Sequence, residues 1–170
     1  NLWIKLKVAH PMLNEIRTAP WGVSVGGLAG LFVFFALALA IAFGSPTLAI
    51  NAYLQLIHFG VLILTFVGAV HWGLAINAKS QNIAVPPWWY PASTLPLVLG
   101  WLTLALVSPT TKILLLMVGF FGTFMLDVSA TARGHAPLWY KNFRKFLTIA
   151  VLIALAVALW AIRMPSEGQF

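Results

Sequence analysis

Long stretches without charged residues dominate the chain and predict membrane-spanning helices. No Asp, Glu, Lys or Arg occurs in residues 18–78. At about 1.5 Å per helical residue, this stretch is long enough for two crossings of a hydrocarbon layer roughly 30 Å thick. The sequence Gly44-Ser45-Pro46 predicts the break between the two helices, because glycine and proline interrupt helical structure.

The second half of the chain predicts three further helices. A loop at headgroup depth is predicted in residues 79–90, where two prolines precede three aromatic residues at the end of the stretch. The pair Ser108-Pro109 predicts the end of a short third helix. The five predicted helices cover about residues 22–43, 50–76, 91–107, 111–128 and 143–162.

The predicted fold class is all-α, an integral membrane bundle of five transmembrane helices. The bundle would occupy residues 22–162, after an interfacial amphipathic segment in residues 1–21 and before a short tail in residues 163–170. The composition excludes a soluble globular domain, since 61% of the residues are hydrophobic, 8% are charged and the mean hydropathy is +0.95. A soluble surface requires far more charge than this.

The distribution of basic residues predicts the orientation of the bundle. Lys112 and Arg163 fall on one side of the five-helix arrangement, and eight basic residues fall on the side of the N-terminus: Lys5, Lys7, Arg17, Lys79, Arg133, Lys141, Arg144 and Lys145. The positive-inside rule therefore predicts an N-terminus in the cytoplasm or the mitochondrial matrix. The net charge of +7 favours contact with anionic lipids and not with nucleic acid, because the charges flank apolar segments.

His71 and Asp127 form a candidate intramembrane polar pair. Each lies near the end of a predicted helix that runs toward the basic side, so the two share a depth. An Asp in a membrane helix needs a partner or access to the interface. Two interpretations stay open: a pair that relays protons or binds a headgroup, or an interfacial Asp127 near Arg133 with His71 bonded to a carbonyl.

The four His residues do not predict a haem site. His58 and His71 are 13 residues apart on one helix, which at about 100° per residue turns their side chains to nearly opposite faces. No other predicted membrane helix carries a His that could supply opposing ligands. We therefore expect no cofactor, metal or haem.

Two further groups of residues are candidates for binding. Aromatic and basic side chains at the start of the fifth helix predict a lipid-headgroup site, with a bound phospholipid such as cardiolipin as its ligand: Trp139, Tyr140, Lys141, Arg144 and Lys145. The alternative there is ordinary interfacial anchoring. Small residues at close-packing spacing predict helix contacts, within the bundle or with a partner: Gly26 and Gly30, Ala69 and Gly73, and Gly119 with Thr123.

Three stretches of the chain together resemble one family of membrane proteins. Residues 60–75 have the sequence GVLILTFVGAVHWGLA, and this stretch is similar to the hallmark second helix of the transmembrane protein 69 family, most specifically through Gly68, His71, Trp72 and Gly73. Ala69 departs from that pattern, where glycine is expected. The remaining matches lie in the third helix and in the stretch that leads into the last helix: Pro96, Pro137, Trp139, Tyr140, Arg144 and Thr148.

The resemblance covers about residues 20–161 and implies a five-helix inner-membrane protein with no established activity. It implies a location in the mitochondrial inner membrane, with removal of a targeting segment before Asn1, or else in the bacterial cytoplasmic membrane. Nothing in the residues resembles a catalytic triad, a metal-ligand cluster or a phosphate-binding glycine loop, so we expect no enzyme.

Three hypotheses for the function follow. The first is a non-catalytic accessory subunit of an inner-membrane bioenergetic complex, foremost a respiratory-chain complex, whose partners are membrane lipids and other membrane-protein subunits. The second is a small transporter or proton-conducting protein that uses His71 and Asp127. The third is an assembly factor that meets its complex only transiently.

Overall fold

A computed structural model describes residues 19–164, and over these residues the chain is all-helical. The helices are α1 (Trp21–Phe43), α2 (Pro46–Ser80), α3 (Trp89–Ala105), α4 (Pro109–Ala132) and α5 (Leu138–Arg163). The predicted all-α class with five helices is thereby confirmed. The expectations for residues 1–18 of the amphipathic segment and for residues 165–170 of the tail lie outside the described residues.

Four of the helices, α1, α2, α4 and α5, are long and apolar enough to cross a membrane by length and composition. The remaining helix, α3, has 17 residues, or about 25 Å at 1.5 Å per residue. It runs antiparallel to α2, because Ser93 and Pro96 lie beside Gly68 whereas Gly100 lies beside Val61. The five helices therefore form one apolar membrane bundle in which α3 is the short member.

All five helices begin earlier than the sequence pattern predicts, and two of them begin at a Ser-Pro pair. α2 begins at Pro46 and α4 at Pro109, whereas the predicted starts were residues 50 and 111. In both cases the preceding serine, Ser45 or Ser108, caps the helix by accepting a hydrogen bond from a backbone N–H at 3.4 Å. Proline at the first helical position lacks only an N–H that would have no helical partner there, so a Ser-Pro pair starts a helix as well as ending one.

α2 is the central helix and packs against α1, α3 and α4, while α5 packs against α1 and α4. α2 and α4 run in the same direction, since Gly60 lies beside Leu116 and Gly119 beside Leu64. Large apolar side chains are almost fully buried where these helices meet, namely Phe34, Leu56, Leu64, Leu116, Phe120 and Leu155. This arrangement brings the ends of α2 and α4 and the start of α5 to one end of the bundle.

The small residues that were predicted to mediate helix contacts lie partly on helix faces packed in the bundle and partly on exposed helix faces. Gly119 and Thr123 are buried in the bundle, as their spacing predicted, and Leu64 contacts Gly119. Ala69 and Gly73 are exposed, and space is open around Gly26, Gly30 and Gly73. A close approach of α3 to α2 is found instead at Gly68, where an added Cβ would lie 3.0 Å from Ser93 O and Pro96 Cβ.

We predict that Gly68→Ala destabilises the bundle relative to Gly73→Ala. Both changes replace a glycine of α2 with a better helix former, but only the first inserts a methyl group against a backbone carbonyl and a proline ring that cannot move aside. Overpacking of this kind costs about 1–3 kcal/mol. Thermal unfolding of both variants in detergent measures the difference, and equal midpoints would contradict the packing of α2 on α3.

Candidate functional site

The most polar part of the described bundle is a cluster centred on the Asp127 carboxylate. Asp127 Oδ1 lies 3.0 Å from His71 Nε2, and Asp127 Oδ2 lies 2.8 Å from Arg144 Nε. Asp127 and His71 have no solvent-exposed surface, and Arg144 is 9% exposed. One carboxylate therefore meets two basic side chains in the interior, and together they link α2, α4 and α5.

The direction of the helices explains why these residues meet. α2 and α4 run in parallel, so His71 and Asp127, which both lie toward the ends of their helices, reach the same level. The short connection of residues 133–137 then returns the chain as α5, and Arg144 in its second turn faces back toward Asp127. A charge taken out of water is costly unless an opposite charge and hydrogen bonds compensate it, and Arg144 supplies both to Asp127.

The ring of His71 is held on two sides. Its Nδ1 lies 2.9 Å from Val67 O, a distance that makes Nδ1 the donor to that carbonyl. Its Nε2 faces Asp127 Oδ1 at 3.0 Å, and neither of these two atoms has a hydrogen-bond partner elsewhere in residues 19–164. His71 therefore combines the carbonyl bond of one sequence-based interpretation with the Asp127 contact of the other.

A second layer of side chains encloses the cluster. The Trp89 indole, at the start of α3, donates from Nε1 to His71 O at 3.3 Å and is 1% exposed. His135 packs edge-on against Trp89, and its Nε2 lies 3.2 Å from Ala84 O. Tyr140, one turn before Arg144, interacts with the Asp127 carboxylate. Helix α3, the loop of residues 81–88 and the connection of residues 133–137 are thereby held against the same polar cluster.

The predicted lipid-headgroup residues do not share one surface. Arg144 differs from the expectation that it faces a phosphate, because its guanidinium group points inward to Asp127. Lys145 is exposed, while Trp139 and Lys141 are half-buried near it. The physical reason is the helix period: α5 already begins at Leu138, so residues 140, 144 and 148 lie on one face, toward the core. The headgroup role of the remaining side chains stays a prediction.

Arg133 and His58, which the sequence also singled out, lie away from the cluster. Arg133 Nε lies 3.3 Å from Ser129 Oγ, and its guanidinium carbon lies 5.5 Å from the centre of the Trp88 ring. His58 is exposed and its Nδ1 contacts Leu54 O at 2.7 Å. The cation beside Asp127 is therefore Arg144, a residue that sequence reasoning assigned to the surface. The spacing of Tyr140, Arg144 and Thr148 is the signal that could have identified it.

Comparison with known proteins agrees with the resemblance in the sequence. Residues 19–160 match the family described as a protein of unknown function, DUF3429. Transmembrane protein 69 of Xenopus tropicalis is 30% identical over 148 residues, which are 86% of this chain and 57% of that relative. The chain thus spans a little over half the length of that relative. No solved structure matches the chain. The predicted similarity to transmembrane protein 69 is confirmed.

We predict that Asp127→Asn and Arg144→Gln each destabilise the bundle by about 3–5 kcal/mol, because each leaves a buried charge without its partner. The double variant should lose less than the sum of the two, since neither charge then remains. The control is Arg133→Gln, at an exposed site, with an expected loss below about 1 kcal/mol. Unfolding free energies in mixed micelles measure these losses. A loss for Asp127→Asn no larger than the control would contradict the cluster.

Proposed function

Since the chain belongs to the DUF3429 family of proteins of unknown function, we propose from its own geometry that it is a non-catalytic accessory subunit of an inner-membrane bioenergetic complex. The proposed complex is one of the respiratory chain, in the mitochondrial inner membrane, with the bacterial cytoplasmic membrane as the alternative location. The subunit contributes helix contacts and contacts with lipid. Three features of the molecule support this role: the closed polar cluster, the apolar surface and the outer face of α1.

The polar cluster supports a structural role. Both oxygens of Asp127 are in contact with basic side chains, and the carboxylate has no solvent-exposed surface. A catalytic carboxylate has to reach a substrate or a water molecule. The position of Asp127 between α2, α4 and α5 is that of a group that holds helices together.

The outer surface of the helices is apolar and contacts lipid. Large hydrophobic side chains are exposed along the length of the bundle, among them Phe32, Leu62, Phe66, Trp101, Val118 and Ile153. In water such a surface would aggregate, whereas in a bilayer it faces hydrocarbon chains at no cost. Most of this surface therefore contacts lipid.

The observation that carries the proposal is the outer face of α1. Only four of its 23 residues are buried, all on the side that faces the bundle. At about 100° per residue, the exposed residues Gly22, Gly26, Ala29 and Ala36 lie within about 80° of one another on the opposite side. Small side chains let two helices approach closely in a bilayer, where lipid provides no hydrophobic drive for association. This face is suited to a helix of another subunit.

The contact between His71 and Asp127 favours a second candidate function, proton conduction or transport. Intramembrane acidic and histidine side chains take part in proton relays. Such relays need a succession of ionisable groups across the membrane, and from the cluster toward the opposite end of the bundle the buried polar side chains in residues 19–164 are hydroxyl groups such as Thr123 and Thr103. The accessory-subunit proposal is therefore the stronger one.

We predict that the protein, solubilised from its native membrane in mild detergent, migrates on native gels in an assembly well above its own 18.6 kDa. The double variant Ala29→Leu/Ala36→Leu should reduce this association severalfold, because leucine side chains hold a partner helix away from α1. Gly122→Leu, at an open and exposed glycine of α4, is the matched control. A wild-type protein that migrates alone would contradict a stable subunit. If its absence still lowers the abundance of a complex, the assembly-factor hypothesis replaces it.

We predict that the purified protein, reconstituted in liposomes with an enclosed pH-sensitive dye, dissipates an imposed pH gradient no faster than empty vesicles do. A closed cluster without a chain of ionisable groups offers no route for protons. The measurement is repeated with Asp127→Asn at several pH values. A wild-type proton flux that Asp127→Asn abolishes and Arg133→Gln preserves would establish the second candidate in place of the first.

A further inference from the structure

A cavity lies beside the polar cluster, between α1, α2, α4 and α5. Its volume is about 130 Å³, and its walls include Gly26, Gly30, Phe66, Phe120, Arg144 and Thr148. This is more space than a single water molecule requires, so the cavity also admits part of an organic ligand. Most of its wall is apolar, so a purely aqueous content is unfavourable.

Two buried polar atoms of the cavity residues have no hydrogen-bond partner within residues 19–164. They are Arg144 Nη2 and Thr148 Oγ1, and the two residues are 9% and 4% exposed. Arg144 uses its Nε for Asp127, which leaves Nη2 as a free donor. A buried donor without an acceptor costs about 1–3 kcal/mol. The unpartnered atoms therefore indicate an acceptor that a ligand supplies.

The hydroxyl group of Thr148 differs from those of other buried threonines in the bundle. Thr103 Oγ1 donates to Leu99 O at 2.8 Å, and Thr123 Oγ1 donates to Phe120 O at 2.9 Å. Such bonds to a carbonyl three or four residues earlier are the usual arrangement for a threonine inside a membrane helix. Thr148 forms no such bond, and it lines the same cavity as Arg144. Two residues one turn apart on α5 thus line the same apolar cavity, and each has a buried hydrogen-bonding atom without a partner in residues 19–164.

The cavity opens toward lipid between α1 and α2. Two of its wall residues, Gly26 of α1 and Phe66 of α2, are themselves exposed on the outer surface, and Phe66 is 67% exposed. Glycine at residues 26 and 30 leaves the α1 side of this opening without side chains. A molecule can therefore enter from the bilayer and leave its apolar tail among the lipid chains.

We propose that this cavity binds the head of a single-chain amphiphile of the bilayer, which presents one carboxylate or ester carbonyl oxygen to Arg144 Nη2 and Thr148 Oγ1. The first carbons of its chain pack against Phe66 and Phe120, and the rest leaves past Gly26 and Gly30. A free fatty acid and an acyl ester share this chemistry. The site goes beyond the proposed function, because it is complete within one chain and requires no partner subunit.

Three ligands with one common chain test the proposal: oleate, methyl oleate and cis-9-octadecene, which carries no oxygen. Their dissociation constants for the full chain in dodecyl maltoside are measured by native mass spectrometry. We expect one bound molecule per chain and an affinity at least about tenfold higher for an oxygen-bearing ligand than for octadecene, since two hydrogen bonds distinguish them. Tighter binding of oleate than of methyl oleate identifies a fatty acid, and the reverse identifies an acyl ester.

Variants of the cavity locate the site without disturbing the Asp127 cluster. Thr148→Val keeps the shape of the side chain and should weaken binding of the oxygen-bearing ligand about fivefold, with no effect on octadecene. Gly30→Leu fills the cavity and should abolish binding. Gly22→Leu is its matched control on the same helix, at an equally open glycine outside the cavity walls, and should bind as the wild type does.

Equal affinity for the three ligands, no binding to the wild type, or unchanged binding by Thr148→Val and Gly30→Leu would each overturn the proposal. These outcomes are independent of the native-gel result. A protein that migrates in a large assembly and binds no amphiphile would retain the proposed function and lose this site, and a monomer that binds oleate would do the opposite.

Discussion

The ion pair between Asp127 and Arg144 is the interaction on which the arrangement of this bundle depends. In a bilayer, apolar helices gain little from contacting one another, because lipid chains are equally apolar. Two opposite charges in the interior change this balance, since separating their helices would leave each charge in hydrocarbon. The 2.8 Å contact therefore fixes where α5 returns along α4, and His71 brings α2 to the same point. Trp89, bonded to the backbone of His71, adds α3.

The polar cluster also distinguishes four helices that are bonded to it from one helix, α1, that is not. Helices α2, α3, α4 and α5 are tied to the cluster by side-chain or backbone bonds, whereas α1 joins the bundle through apolar packing with α2 and α5. Most of α1 faces outward, and four of its small residues, Gly22, Gly26, Ala29 and Ala36, lie on the side away from the bundle. The helix without a bond to the cluster is therefore the one with the most open surface, and Gly26, Gly27 and Gly30 also border the cavity beside Arg144.

Much of the fold could be predicted from the sequence, because the feature that determines it is local. A charge-free stretch of residues 18–78 has to span the membrane whatever the rest of the chain does. The helix starts at Pro46 and Pro109 were missed, since a Ser-Pro pair can end one helix or cap the next, and only the hydrogen bond of the serine distinguishes the two.

The polar centre was predictable only in part. His71 and Asp127 share a depth because of helix direction, which follows from counting the crossings. The inward position of Arg144 required knowing that α5 begins at Leu138, since the positive-inside rule alone places every basic residue at the surface. It was harder still to predict which glycines pack against another helix. Gly68 and Gly73 both lie on α2, yet only Gly68 meets a neighbouring helix. Composition does not reveal which face of α2 that helix contacts.

Proton-detected NMR of the arginine side chains, on ¹⁵N-arginine-labelled protein in lipid nanodiscs, tests the central ion pair most directly. Because the Nε–H of Arg144 donates to a buried carboxylate, its signal should exchange slowly with water and should shift when Asp127 is changed to Asn. The exposed Arg133 provides the internal reference for fast exchange. An Arg144 signal that exchanges as fast as that of Arg133, and does not respond to Asp127→Asn, would contradict the buried ion pair.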